Sequence, residues 1–414
     1  MNNTQFNLAP QCKMMTISGI DIIGNPETGT IIGLNENGKL LIQNIKNGNI
    51  VNIQCMDEEQ IDLLGELYRE GFFRHDNGNI HIQSAYLHFT SHCNLKCPGC
   101  YSYEENRNIV PDLSLEDFKK ILDNLVKAGL VYLVISGGEP FSRSDLIDFL
   151  AYARSKSQIK YIECISNGTA LLEMYCEAAK YLDKLTFSLD SADSHHAKIR
   201  PREIFDDVVR KIKILKRNGY PITIVFTIHH ENIRMCKELI LLAKSMEVEF
   251  RFSIFTIECT DETRSPLILT TEDYQVFHDY IMNNMGSISI EDSAVDSNLG
   301  CVLSCGAGKT MVSVASNGDI YPCHMFLGKK RFALGNALND DINDLINDKR
   351  KNIFYSIDVD NIEKCKTCHV RYICGGGCRF RAYVTCGNIK GEDPMCEIYT
   401  DNLEMRIRKA AQIL

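Results

Sequence analysis

The sequence has no basic excess. Its 45 lysines and arginines face 54 aspartates and glutamates, a net charge of −9 over 414 residues. Phosphate binding needs a concentrated basic face, so nucleic acid is not an expected partner. No apolar run approaches the ~18 residues of a membrane helix, and a membrane is not expected either. Met1 to Met15 lack the basic-then-apolar pattern of a secretory signal. Low-complexity tracts, long linkers and internal repeats are also missing. These absences place the expected protein in a reducing cytoplasm. At 44% hydrophobic residues it has material for a sizeable core, and at ~150 residues per domain two or three domains are expected.

What the chain has in quantity is cysteine, eighteen in all. In a reducing compartment clustered cysteines serve metal or redox chemistry more often than disulfides. Three fall between Cys93 and Cys100 and nine between Cys301 and Cys396.

Pattern changes divide the chain into residues 1–84, 85–300 and 301–414. In the first stretch, two short strand-like runs surround Gly24-Asn25-Pro26 and a short helix follows Asn35. A second helix begins after Asp57, a suitable N-cap, with Ile61, Leu64, Leu67 and Tyr68 on one face. Gly71 closes it, and Phe72–Arg74 and Ile80–Ile82 flank an Asn77-Gly78 turn as a hairpin. A helix followed by a β-wing is a winged-helix outline. The middle stretch alternates strands (Tyr86–Thr90, Tyr132–Ser136, Tyr161–Ser166, Leu185–Leu189, Thr223–Ile228, Glu249–Ile254) with helices after Ser114 and across Leu171–Tyr181 and Asp206–Asn218. That alternation predicts parallel strands with right-handed crossovers. Six units are too few for a closed eight-unit barrel, so the expected fold is α/β, a partial (β/α)6 TIM-type barrel with its active site at the C-terminal strand ends. The last stretch is loop-rich and cysteine-rich, and metal clusters are expected to replace a large core there.

The loop after the first barrel strand reads His92-Cys93-Asn94-Leu95-Lys96-Cys97-Pro98-Gly99-Cys100. A four-iron cluster normally takes four cysteine thiolates. With three, one iron keeps a position for a small molecule. A structural zinc with His92 as fourth ligand is the alternative. The next strands end in Ser136-Gly137-Gly138-Glu139-Pro140, Ser166-Asn167-Gly168-Thr169 and Ser188-Leu189-Asp190, with Arg200 shortly after. The glycines permit close backbone approach, and Glu139 suits an ammonium group.

On these residues the chain resembles the radical S-adenosylmethionine superfamily, from about Ser84 to before Cys301. The resemblance implies that Cys93, Cys97 and Cys100 bind a [4Fe–4S] cluster whose fourth iron chelates S-adenosylmethionine. It implies that Gly137, Gly138 and Glu139 hold the methionine end, and that Ser166, Asn167, Ser188 and Arg200 contact ribose or carboxylate. Relatives often carry an aromatic residue just before the third cysteine; here Gly99 stands there and Tyr101 follows. The implied chemistry is one-electron cleavage of the sulfonium to a 5′-deoxyadenosyl radical that takes hydrogen from an unactivated carbon, fed by a reducing donor such as flavodoxin or ferredoxin.

The C-terminal stretch reads Cys301-x3-Cys305, Gly318-x4-Cys323, Cys365-x2-Cys368-x5-Cys374-x3-Cys378 and Cys396. Two zinc sites would account for all eight cysteines. The spacing also resembles the SPASM domain of peptide-modifying radical enzymes. That resemblance implies one auxiliary [4Fe–4S] cluster on Cys301, Cys305, Cys323 and Cys378 and another on Cys365, Cys368, Cys374 and Cys396, three clusters in the chain. Cys386 is a spare. Cys12, Cys55, Cys164, Cys176, Cys236 and Cys259 are expected to be ordinary residues, and the pairs His195-His196 and His229-His230 are not expected ligands.

A winged helix ahead of such a core is similar to the precursor-recognition element of ribosomal-peptide maturases, which bind a leader peptide as an added strand. The expected function is therefore a peptide maturase that installs an oxidative crosslink, thioether favoured over carbon–carbon, in a ribosomally made precursor. A sulfatase maturase is less expected, because those enzymes typically carry Asp where His324 stands. Peptide epimerisation is a further alternative, and a zinc or peptide-binding adaptor would leave Glu139 and the cysteine loop without a purpose.

Overall fold

The computed structural model describes residues 3–49, 51–74, 80–102, 107–109, 111–195, 197–258, 265–283 and 299–413. Six parallel strands run Ser84–Thr90, Tyr132–Gly137, Tyr161–Ser166, Lys184–Ser188, Ile222–Ile228 and Glu249–Ile254. They lie side by side in chain order, each pair parallel, so every connection is a crossover. Alternation along each strand sorts the two faces. Ala85, Leu87 and Phe89 join the helix-covered core with Phe118, Ile121 and Leu122, while Tyr86 between them faces a cavity. The helix Leu115–Lys127 starts at a Ser114–Asp117 capping box, which satisfies two otherwise orphaned amides.

The C-terminal region does more than hold loops. A strand at Met311–Val314 pairs in parallel with the first barrel strand, and Asp319–Tyr321 and Gly335–Asn336 continue the sheet antiparallel. Among the described residues the sheet therefore has nine strands, the six of the barrel and three from the C-terminal region. The two cysteine-bearing regions are joined by backbone ladder at the first barrel strand, the one that feeds the Cys93–Cys100 loop. The last helix, Cys396–Ile413, packs through Ile398, Tyr399, Leu403 and Ile407 into the main core.

In the N-terminal stretch a three-stranded antiparallel sheet, Lys13–Ile17, Ile20–Gly24 and Ile31–Leu34, precedes the helices Glu36–Lys46 and Glu58–Arg69. Asn35 and Asp57 are their N-caps. The expected hairpin after the second helix is corrected: Phe72 and Phe73 lie in a turn, and Ile80–Ile82 is not a strand. The Asn77-Gly78 turn lies outside the described residues. Phe72 is instead buried among Ile23, Ile42 and Leu67, and Ile82 N donates to Ala128 O at 3.2 Å, so both flanks are tied to other elements. The second helix also packs through a shifted stripe. Leu64 and Leu67 are buried, but Ile61 and Tyr68 are 47% and 71% exposed. The inward stripe runs through Leu63, Leu64 and Leu67, about one helical step from the expected face. Met15, Ile17 and Ile22 carry the sheet into the main core.

Candidate active site and cluster sites

The Cys93–Cys100 loop is fixed by backbone and side-chain bonds. Asp112 accepts from Ser91 N at 2.9 Å and from the Thr90 hydroxyl. Asn108, in the left-handed region at φ 69°, accepts from Cys93 N at 2.8 Å and donates to Cys93 O at 3.1 Å. Gly138 N donates to Thr90 O and Glu139 N to His92 O, each at 2.7 Å. The glycines are needed here: a Cβ on Gly138 would collide with the His92 carbonyl and one on Gly137 with the Thr90 carbonyl. The second strand end is thus stitched to the cysteine loop, which brings Glu139 beside the thiols.

Glu139 is buried, and its oxygens accept from Asn167 N at 2.7 Å, Ser166 Oγ at 2.9 Å and Phe141 N at 3.2 Å. Burial pushes its carboxyl up to about 7, although these bonds and Arg200 favour the charged form. Ser166 is itself tied to Tyr175 Oη at 2.9 Å, so it orients Glu139. Asn167 Nδ2 reaches Cys93 Sγ at 3.8 Å and Asn94 Oδ1 at 3.0 Å. Arg200 is ion-paired with the buried Asp190. Cys93, Cys97, Cys100, Gly137, Gly138, Glu139, Ser166, Asn167, Ser188 and Arg200 all line one cavity at the C-terminal strand ends. Every residue chosen from sequence for this site is therefore brought together.

The rest of the wall carries no motif in the sequence. Leu95, Ile199, Val225 and Phe255 supply apolar surface, and Thr227 and Ser253 come from the fifth and sixth strands. Phe255 also accounts for Gly99, which sits at φ 72° where a Cβ would run into the Phe255 ring. Tyr101 lines the cavity, with its hydroxyl 2.7 Å from Ser136 Oγ. Strand alternation was the available signal for the polar positions, because residues two apart share a face.

The second array separates into two cavities. Cys365, Cys368, Cys374 and Cys396 line one, with Arg371, Arg379 and His278. Burial pushes Cys374 up to about 12 and Cys396 up to about 11, so ligation there requires iron to displace protons. Cys305, Cys323 and Cys378 line the other. Cys301 does not line that cavity. It is buried against Gly24, where a Cβ would strike its sulfur, and its amide donates to Gly29 O at 2.9 Å. The N-terminal sheet claims this side chain for packing, a direction that spacing does not encode.

The first cavity and the Cys305 cavity share Tyr86, Ser253, Ile254, Thr256, His324 and Met325. His324 stacks on Tyr86 with ring centroids 4.2 Å apart, and its buried Nδ1 has no protein partner. Burial holds it neutral, down to about 4.

The remaining cysteines and histidines that the sequence singles out have these positions. Cys164 and Cys236 are buried core, Cys55 is exposed, and Cys12 and Cys176 are half-buried. Cys259 and His196 lie outside the described residues. His229 is buried and His230 Nδ1 pairs with Asp273 at 2.6 Å. Among the described residues, no three His, Cys, Asp or Glu side chains converge on a point that would hold a single metal ion.

The family model of the radical SAM superfamily matches residues 87–243, and that of the SPASM iron–sulfur cluster-binding domain matches residues 305–369. The chain is a radical S-adenosylmethionine enzyme with a SPASM domain. Iron–sulfur clusters and S-adenosylmethionine are accordingly its cofactors. The enzyme is 25% identical over 348 residues to the PqqA peptide cyclase of Gluconobacter oxydans, covering 80% of this chain and 95% of that protein. It is 26% identical over 270 residues to the subtilosin biosynthesis protein AlbA of Bacillus subtilis, covering 64% and 59%. In fold it is similar to Streptococcus suis SuiB bound to the precursor peptide SuiA, at TM-score 0.61 and 18% identity over 94% of this chain and 98% of that one. It is likewise similar to anSMEcpe with bound AdoMet, at TM-score 0.64 and 18% identity over 80% and 98%. No helix among the described residues is long and apolar enough to cross a membrane.

Proposed function

We propose that this radical SAM enzyme is a maturase that installs an oxidative intramolecular crosslink, thioether in preference to carbon–carbon, in a ribosomally made precursor peptide. The observation that carries the reading is the shared wall between the Glu139 cavity and the Cys305–Cys323–Cys378 cavity, built from Tyr86, His324 and Met325 among others. A peptide residue at that wall faces a hydrogen-abstracting site on one side and an iron–sulfur electron acceptor on the other. Crosslinking needs both, because it removes two hydrogens from the product.

In this reading Cys93, Cys97 and Cys100 hold the first cluster, Glu139 receives the ammonium of S-adenosylmethionine, and Asn167, Ser188 and Arg200 face its remaining polar groups. Bound together, reduced cluster and S-adenosylmethionine supply a carbon radical that removes hydrogen from carbon. The chain's own work is orientation: Ser166 and the Asn167 amide aim Glu139, Leu95, Ile199 and Phe255 exclude water, and the glycine segment sets the approach distance. Cys365, Cys368, Cys374 and Cys396 hold a fully ligated auxiliary cluster suited to electron relay. The Cys305 cavity offers three thiolates among the described residues. A cluster held by these cysteines would have room for a soft donor from the substrate, such as a peptide cysteine, which favours the thioether.

The three-stranded N-terminal sheet supports leader recognition by strand addition, the similarity to a PqqA peptide cyclase and to SuiB bound to its precursor peptide SuiA points the same way, and the electron donor is a small reducing protein of the flavodoxin or ferredoxin type. Sulfatase maturation is not favoured, since His324 stands where those enzymes typically have Asp. The test is the intact mass of a precursor peptide encoded beside the gene after anaerobic turnover in deuterated buffer, against a fully exchanged control. Loss of two hydrogens per event is expected. Gain of one non-exchangeable deuterium without that loss would make the protein an epimerase.

A further inference from the structure

The three loop cysteines differ in what meets their sulfurs. Cys93 Sγ receives the Leu95 amide at 3.4 Å and Asn167 Nδ2 at 3.8 Å, both neutral donors. Cys100 Sγ lies 3.6 Å from Arg107 Nη2 and 3.3 Å from Ser102 Oγ. Arg107 is 9% exposed and Ser102 7%, so the positive charge stands against this sulfur largely out of water, where screening is weak.

The guanidinium is also held in place. Its Nη2 donates to Ser102 Oγ at 3.1 Å and its Nε to Ser91 O at 3.3 Å, while the Ser102 hydroxyl donates to Gly137 O at 2.8 Å. Arg107 is thereby anchored to the strand end that enters the cysteine loop and, through Ser102, to the glycine segment that carries Glu139. Such a fork gives fixed donors that a lysine ammonium does not reproduce.

We propose that Arg107, acting through Cys100, raises the reduction potential of the cluster held by Cys93, Cys97 and Cys100. Reduction adds an electron to an assembly already rich in negative sulfur. A fixed positive charge and an N–H···S bond stabilise the reduced form more than the oxidised one, and hydrogen bonding to cluster sulfurs is a recognised determinant of potential. Arg107 is a positioning residue in this account, because it touches a ligand and not the reacting carbon. Its consequence is that a comparatively weak cellular reductant suffices to start turnover. The inference rests on the reading of the cysteine loop as the radical cluster site.

The test is a redox titration of the anaerobically reconstituted full-length enzyme followed by electron paramagnetic resonance. The radical cluster is identified by the change in its signal on adding S-adenosylmethionine, and iron per chain is measured on the same samples. Arg107→Met is expected to move the midpoint to more negative potential at unchanged iron. Arg107→Lys should move it less, and Ser102→Ala should move it in the same direction. S-adenosylmethionine cleavage by Arg107→Met should fall with a weak reductant and recover with a strong one, a rescue that a purely structural defect would not show. An unshifted midpoint in iron-loaded Arg107→Met overturns the proposal. So does loss of iron from Arg107→Met together with unshifted midpoints in Arg107→Lys and Ser102→Ala. If the wild type shows no signal that responds to S-adenosylmethionine, the cluster reading itself fails and this inference falls with it.

Discussion

Glu139 is the residue on which pH should act most visibly. Its carboxyl is pushed up to about 7 by burial, so the free site is half protonated near neutrality. Only the charged form attracts an ammonium group, hence S-adenosylmethionine affinity should be full above about 7 and fall about tenfold for each pH unit below it. Equilibrium binding measured from about pH 6 to 8 checks the slope. Glu139→Gln should bind weakly with no slope, and a flat wild-type profile would contradict the assignment. The residue was legible in sequence because its strand end is one of several consecutive ones that carry polar or glycine signals around a single cysteine loop. Its aim was not, since Ser166 and the Asn167 amide reach it only once the third strand is placed. Cys301 illustrates the opposite case. Spacing put it with Cys305, but packing turned its sulfur toward Gly24. Cys378→Ala should therefore lose about four iron atoms per chain. Cys301→Ala should keep its iron and cost about 1 kcal/mol of stability for the lost buried contact. Iron analysis and thermal unfolding of the two variants decide this, and iron loss from Cys301→Ala would restore the original ligand set.

Among the elements, the barrel was the readable part. Tyr161–Ser166 and Glu249–Ile254 fall where apolar alternation and flanking turns put them. The strand Met311–Val314 escaped notice because four residues between glycine-rich segments carry too little period to distinguish them from loop. It becomes a strand by pairing with Ser84–Leu87, a tertiary cause. The N-terminal sheet was half visible, and the flanks expected to form a hairpin after its helices are not strands. Its edges, Lys13–Ile17 and Ile31–Leu34, are where a leader strand would add. Addition of a synthetic leader should slow amide exchange at one of these strands while leaving the barrel strands unchanged. Unaltered exchange throughout residues 3–49 would remove the leader-binding role. Deleting the sheet would be a poorer test, because Met15, Ile17 and Ile22 belong to the main core and their loss would expose apolar surface.

For the whole molecule, a continuous nine-stranded sheet sets two cysteine regions beside one another along a shared wall. That juxtaposition was not readable from spacing, since the motifs lie some two hundred residues apart in the chain and only the parallel pairing with the first barrel strand brings them together. In the proposed function, hydrogen is taken from a peptide carbon at that wall. The most direct test is turnover of a precursor peptide deuterated at its carbon-bound positions, with the 5′-deoxyadenosine formed read by mass spectrometry. Deuterium in 5′-deoxyadenosine, in step with a peptide that has lost two hydrogens, is the predicted result. 5′-Deoxyadenosine carrying only protium while the peptide stays unchanged would contradict it.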